Sequence, residues 1–500
     1  MQPPSQPPRP PIEPSYFDAI VPLVALVLVV AGSMYLFSLD ALDGPLQTGL
    51  VVCTMVTSIV ILRSGHSWEE VAQAGQRGLS SIVSAIFILL SVGALIGTWN
   101  LSGTIPTLVY YGIQWIDPQW YYPTSALICA VVSMSIGSSW TTAGTIGVGL
   151  VGIASLVGVS PAITAGAVLS GSYLGDKTSP LSETTVLASQ LVGVDLYTHI
   201  RAQVWTSVPA FAVSLVVFTL LGMAGEGIGP DVVATPTELA QLGRLYWITP
   251  INLIPLVALL AMSLKRSPSS LAILAAALLA GVLGVFTQPE AVTRFLADPE
   301  ITGAKAAVKA VWMAMATGFQ ANSGLASVDA LLSRGGMDSM LKTIWLIIAA
   351  VSFGTLLEEF GLLAKLIDPM IARARTTGGL FLTTAATALG LNIVAADQYI
   401  ALVLPARVFR SEFAKRGLAP QNLSRAVADA GTVTSPLVPW NSCGAYMSAV
   451  LGIPTLSFVA ACAAGVASRP PGVWRSTNQP PKAISSGKTV LLSTSFSVMK

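Results

Sequence analysis

Long apolar runs alternate with short polar stretches along this chain, and in two regions the runs are themselves broken. Continuous apolar segments occupy residues 19–38, 46–62, 81–99, 202–222, 245–263, 271–286 and 340–357. A helix that crosses a bilayer needs roughly 17–25 predominantly apolar residues, so these segments predict spanning helices. The regions 123–200 and 378–452 differ: apolar on average, they are cut by Gly, Pro, Ser, Thr, Asn and Asp. Broken backbone leaves N–H and C=O groups unpaired, which membrane depth tolerates only inside protein or beside a wet cavity. Function is expected in these two regions. The pattern predicts an all-α polytopic membrane protein with discontinuous helices.

The two broken regions resemble each other. Gly175-Asp176-Lys177-Thr178-Ser179-Pro180-Leu181 lines up with Gly431-Thr432-Val433-Thr434-Ser435-Pro436-Leu437 at an offset of 256 residues, with five identities in seven. Upstream, Asn100-Leu101-Ser102-Gly103 matches Glu358-Glu359-Phe360-Gly361 at an offset of 258. Between these anchors, residues 138–142 fall opposite residues 394–398. Basic groups follow several spans: Arg63 and Arg77; Lys265 and Arg266; Lys365, Arg373 and Arg375; Arg407, Arg410, Lys415 and Arg416. Placed in the cytoplasm, they put the N-terminus inside. The first repeat then enters from inside and the second from outside, which makes two inverted-topology repeats with a site at the midplane. The division expected is a disordered Pro-rich tail over 1–15, a first transmembrane repeat over 16–223, an external loop over 224–244, a second repeat over 245–467 and a polar, disordered tail over 468–500.

Composition sharpens the class. Of 500 residues 53% are hydrophobic and 10% charged, and mean hydropathy is +0.71. Soluble domains carry roughly 25% charged residues, so lipid must serve as solvent over much of this surface. A net charge of +2 gives no electrostatic case for nucleic acid. Cys53, Cys129, Cys443 and Cys462 are scattered in apolar stretches without metal-ligand spacing. His66 and His199 lie too far apart to suggest a zinc site. No cofactor is expected beyond the transported ions.

The candidate chemistry lies at the breaks. Asp176 and Glu183 flank the first T-S-P-L element, and Asp397 and Asp429 belong to the second broken region. A carboxylate at the bilayer centre costs about 2.5–3.5 kcal/mol by insertion scales and persists where a cation, proton or partner compensates it. Asp429 could instead pair with Arg425 on one helix face, and Glu358 and Glu359 read as the surface end of a helix. Thr141, Thr178, Ser179, Ser182, Thr434, Ser435, Asn441 and Ser442 supply hydroxyl and amide oxygens near prolines that release carbonyls. Dehydrated Na⁺ takes about five or six hard oxygens. The blander role for each hydroxyl is to glue helices together. The reading carried forward places Na⁺ at Asp176, Asp397, Ser179 and Ser435.

These segments resemble a known family. Residues 169–185, together with Ala396-Asp397-Gln398-Tyr399 and residues 431–444, are similar to hallmark segments of the NhaC-type Na⁺/H⁺ antiporters, over about residues 16–460. That family also includes Na⁺-lactate/malate-proton antiporters, so the resemblance leaves the substrate open between a cation with a proton and a small carboxylate. It implies a secondary transporter of the ion-transporter superfamily, a homodimer with scaffold and transport domains, in the cytoplasmic (inner) membrane. One departure is noted: after residues 455–465 the family continues with a hydrophobic segment, whereas here the chain turns polar from Ser468, so a lost or replaced last helix is expected. The mechanism expected is competition of H⁺ and Na⁺ for a carboxylate site. Two further alternatives are a membrane-embedded aspartyl enzyme, which needs two carboxylates close together with water, and a passive channel.

Overall fold

Capping residues set where the helices begin, and apolar length sets how far they run. Ser67 and Glu70 form a reciprocal capping box that starts the 34-residue helix Trp68–Leu101. The computed structural model describes residues 13–115, 117–225, 242–265, 267–298, 300–322, 329 and 332–464, and among these every regular element is helical. Seven helices are long and apolar enough to cross a membrane: Tyr16–Phe37, Pro45–Arg63, Trp68–Leu101, Leu196–Met223, Ser269–Thr287, Asp338–Glu359 and Thr377–Val394. Outward-facing Phe17, Leu28, Tyr35, Trp205, Leu220 and Phe286 are all at least 60% exposed. A continuous apolar skin of this kind suits hydrocarbon rather than water.

Six of the expected spans coincide with these helices. The seventh, 245–263, does not: a 3-10 turn at Pro250–Leu253 precedes a helix confined to Ile254–Leu264. Pro250 opens the 3-10 turn and Pro255 lies in the first turn of the helix, where a missing N–H leaves no intrahelical bond unmade. The expected tail 468–500 and most of the stretches 1–15 and 224–244 lie outside the described residues.

The two broken regions each form a hairpin, a further helix and a short helix beyond a second break. In the first, Tyr121–Ile136 ends at Gly137 (φ 80°), and Ser138 caps a helix that runs on, through a π-helical turn at Ala143–Gly147, to Val157. The Tyr121 hydroxyl donates to the Leu150 carbonyl (2.6 Å), and the Tyr122 hydroxyl accepts from the Ser160 N–H (2.9 Å), closing the hairpin. Pro161–Thr178 follows, breaks at Ser179, and resumes as Glu183–Val192. In the second region Thr377–Val394 stops before Ala396, Asp397 caps Gln398–Lys415, and Pro420–Val427 runs into a π-helical turn at Ala428–Thr432. A break follows, and Asn441 caps Ser442–Leu451.

These hairpins open toward opposite ends of the bundle. The first opens where Gly222, at the end of Leu196–Met223, lies against Gln119. At the second, Arg410 reaches the Leu191 carbonyl (3.4 Å), just before the start of that same helix. Helices Tyr121–Ile136 and Pro161–Thr178 touch backbone to backbone: a methyl group at Gly171 would lie 2.1 Å from the Ala126 carbonyl oxygen, and one at Gly175 would lie 2.3 Å from the Met134 nitrogen. The two halves also share apolar cores. Ala188 and Val192 of the first pack with Leu402, Phe409, Phe413 and Leu423 of the second.

Candidate functional site

The first break gathers three helix ends around Asp176. Its carboxylate accepts hydrogen bonds from the hydroxyls of Ser139 (2.7 Å), Ser182 (2.5 Å) and Thr184 (3.4 Å). Ser139 opens the second arm of the first hairpin, while Ser182 caps the helix beyond the break. Asp176 is only 6% exposed, and no Lys or Arg pairs with it among the described residues. The Thr185 hydroxyl donates to the Asp176 backbone carbonyl (2.9 Å), occupying an acceptor that the broken helix leaves free.

The second break holds its carboxylate differently. Asp397 accepts from the backbone N–H groups of Tyr399 (2.8 Å) and Ile400 (3.0 Å), the geometry of an N-cap, with the Ser442 hydroxyl 3.5 Å away. Here the Ser435 hydroxyl shares its one proton between the Gln398 side-chain carbonyl (2.9 Å) and the Thr432 carbonyl (2.8 Å). Asn441 donates to the Asn392 side chain (3.1 Å), and Asn392 in turn donates to Thr434 (2.8 Å) and to the Gly431 carbonyl (2.6 Å).

Structural landmarks reset the register between the halves. Left-handed Gly137 and Ala396, N-caps Ser138 and Asp397, left-handed Gly158 and Gly417, first-turn Pro161 and Pro420, N-caps Ser182 and Asn441, and left-handed Gly193 and Gly452 all correspond at an offset of 259 residues. The T-S-P-L identities sit three residues out of this register, because the second half has three residues fewer between Pro420 and Thr434 and regains them as Val438, Pro439 and Trp440 before Asn441 caps the next helix. Residue 138 therefore faces 397 rather than 394. In the corrected register Asp176 matches Ser435 and Ser139 matches Gln398, so the Ser139–Asp176 and Gln398–Ser435 hydrogen bonds are counterparts.

Contacts cross between the halves in a matching way. The Trp140 ring stacks on Tyr446 (centroids 4.1 Å apart), and the Tyr446 hydroxyl donates to the Trp140 carbonyl (2.8 Å). The Tyr399 hydroxyl, from the second hairpin, donates to exposed Glu183 of the first half (3.1 Å). Trp140 and Tyr399 correspond at the same 259-residue offset. Asp429 pairs with buried Lys177 rather than with Arg425, and accepts from the Thr206 hydroxyl (3.3 Å). The π-helical turn at residues 428–432 carries Asp429 to this partner.

The remaining candidates serve local structure. Thr178 donates back to the Leu174 carbonyl (2.8 Å), Ser179 accepts from the Leu181 N–H (3.2 Å), and Thr141 bonds Ser138 (3.0 Å). Among the described residues Asp176 and Asp397 share no hydrogen-bond partner, and Ser179 and Ser435 bond neither carboxylate. Among the described residues no group of three or more His, Cys, Asp or Glu side chains is placed to hold a metal ion. Ser139, Thr184 and Gln398 lie within the segments quoted above but are not among the site candidates, and neither is Asn392, whose one signal is polarity within an apolar run, shared with many helix-packing residues.

Comparison with known proteins gives the family. The profile of the Na⁺/H⁺ antiporter family matches residues 16–191 and 171–468. The chain is 35% identical to the "Na(+)/H(+) antiporter NhaC" of Alkalihalophilus pseudofirmus, covering 88% of this chain and 92% of that protein. It is 33% identical to the "Malate-2H(+)/Na(+)-lactate antiporter" of Bacillus subtilis (89% and 91% covered). It is also 33% identical to the "Arginine/ornithine antiporter ArcD" of Halobacterium salinarum (89% and 88% covered). With its apolar membrane-length helices and this match over most of its length, the chain is an integral membrane protein that belongs to the Na⁺/H⁺ antiporter family.

Proposed function

We propose that this protein exchanges Na⁺ for H⁺ at the buried carboxylates of its two helix breaks, with Asp176 as the principal cation ligand and Asp397 as the second charge. The observation that carries the reading is Asp176 itself, buried and without a basic partner, facing three hydroxyls. A buried carboxylate in such a place needs a proton or a cation to neutralise it. Hydroxyls suit both states, since they donate to the bare carboxylate and turn a lone pair toward a bound ion. Loading Na⁺ displaces the proton, and loading the proton displaces Na⁺, which couples opposed fluxes.

The 259-residue correspondence and the opposed hairpins support inverted-topology repeats over residues 16–223 and 245–467, with access alternating from one end of the bundle to the other. Placing the basic clusters in the cytoplasm puts the N-terminus on the cytoplasmic side of the inner membrane. In proteoliposomes Asp176→Asn should lower Na⁺-driven proton movement about 100-fold while the protein stays monodisperse; undiminished exchange removes Asp176 from the role. A second reading, exchange of a small organic acid, draws on the lactate/malate relative, which is as similar as the arginine/ornithine one. Uptake of labelled lactate or malate, tested against Na⁺ alone, separates the two readings.

A further inference from the structure

One side of the Leu196–Met223 helix carries polar groups into the interior. His199 and Gln203 are fully buried and Ser207 is 8% exposed, one turn apart in succession. His199 Nδ1 lies 2.9 Å from the Ser424 hydroxyl, but its Nε2 has no protein partner. Both amide atoms of Gln203 and the Ser207 hydroxyl lack one as well. A buried polar atom left unpaired costs about 1–3 kcal/mol, and such atoms usually hold ordered water. Four orphaned atoms thus lie along one side of one helix, a set that ordered water can satisfy.

The stripe has two defined ends. At one end is exposed Asp195, which caps the helix one turn before His199. At the other, Thr206 donates to Asp429, whose partner Lys177 adjoins Asp176 in the chain. From residue 199 to residue 207 a helix rises about 12 Å. Both charges of the Lys177–Asp429 pair lie within electrostatic reach of His199.

We propose that His199, Gln203 and Ser207 line a file of water that carries protons between the Asp195 end of this helix and the Lys177–Asp429 pair beside Asp176. The cation takes another route. Water is the carrier: each molecule accepts a proton from one neighbour and passes another on, so no net charge is stored. His199 can take a proton at its unpaired nitrogen and release it to the next water, while Gln203 and Ser207 orient the file. The inference rests on the Na⁺/H⁺ reading above.

The test compares two fluxes in proteoliposomes holding the full-length protein. Na⁺-driven proton movement needs the file; exchange of labelled for unlabelled Na⁺ at one pH does not. Gln203→Leu and His199→Leu are expected to slow the first about tenfold, to leave the second unchanged, and to remain monodisperse. Ser207→Ala, a smaller change, should show the same split to a lesser degree, and Trp205→Ala, on the exposed face of the helix, should alter neither flux. Proton movement at full rate in all three stripe variants, or an equal fall in both fluxes, overturns the proposal. No exchange by the unaltered protein would overturn the Na⁺/H⁺ reading itself.

Discussion

The two breaks solve one problem with different atoms. In the first half a carboxylate on the Pro161–Thr178 helix is held by side-chain hydroxyls; in the second the carboxylate has moved to the hairpin tip, where backbone N–H groups hold it. At the position matching Asp176 the second half has Ser435, bonded to Gln398. Backbone donors are fixed in direction and suit an anion permanently. Hydroxyls rotate, and so tolerate an exchange of proton for cation. The two breaks thus hold a buried carboxylate with different donors, rotatable hydroxyls at one and fixed N–H groups at the other.

The widest gap should appear in transport. Asp176→Asn is expected to lower Na⁺/H⁺ exchange in proteoliposomes about 100-fold, corresponding to roughly 3 kcal/mol for a lost charge-assisted contact. Asp397→Asn should lower it only about tenfold with an unchanged melting temperature, because Asn caps a helix about as well as Asp. Equal losses would erase the distinction between the breaks. The backbone offers a smaller test. Ala396 has φ 55°, where its counterpart Gly137 has φ 80°, and a side chain in that region costs roughly 1–2 kcal/mol. Ala396→Gly should therefore raise thermal stability by about 1 kcal/mol, whereas Gly137→Ala, whose methyl group would lie 2.6 Å from Leu181 Cβ, should lower it. The smallest effect belongs to Tyr446→Phe. It removes one hydrogen bond to the Trp140 carbonyl but keeps the stack, for a loss of about 0.5 kcal/mol in detergent melts.

Helix class, most spans and the two broken regions were legible in the sequence, because apolar length and Gly/Pro interruptions are local properties. The register was legible only to within three residues. Four consecutive identities in T-S-P-L outweighed the scattered caps and left-handed glycines that mark the true correspondence, none of which is an identical run. Asp176 was legible as a charge out of place, but its hydroxyl partner Ser139 lies 37 residues away and its role follows from tertiary packing. Asp429 shows the same limit. Arg425 is near it along the chain, yet its partner is Lys177, 252 residues distant.

The glycines on the Pro161–Thr178 helix have a mechanical consequence. With Gly171 and Gly175 pressed against the neighbouring helix, no side-chain layer remains between the two rods to slide or shear. They behave as a single stiff beam that carries the hairpin tip and Asp176 together. Any motion that turns the site from one end of the bundle to the other must then part at a softer seam. Between the halves, by contrast, contact is made through side chains, as where the Trp140 ring stacks on Tyr446.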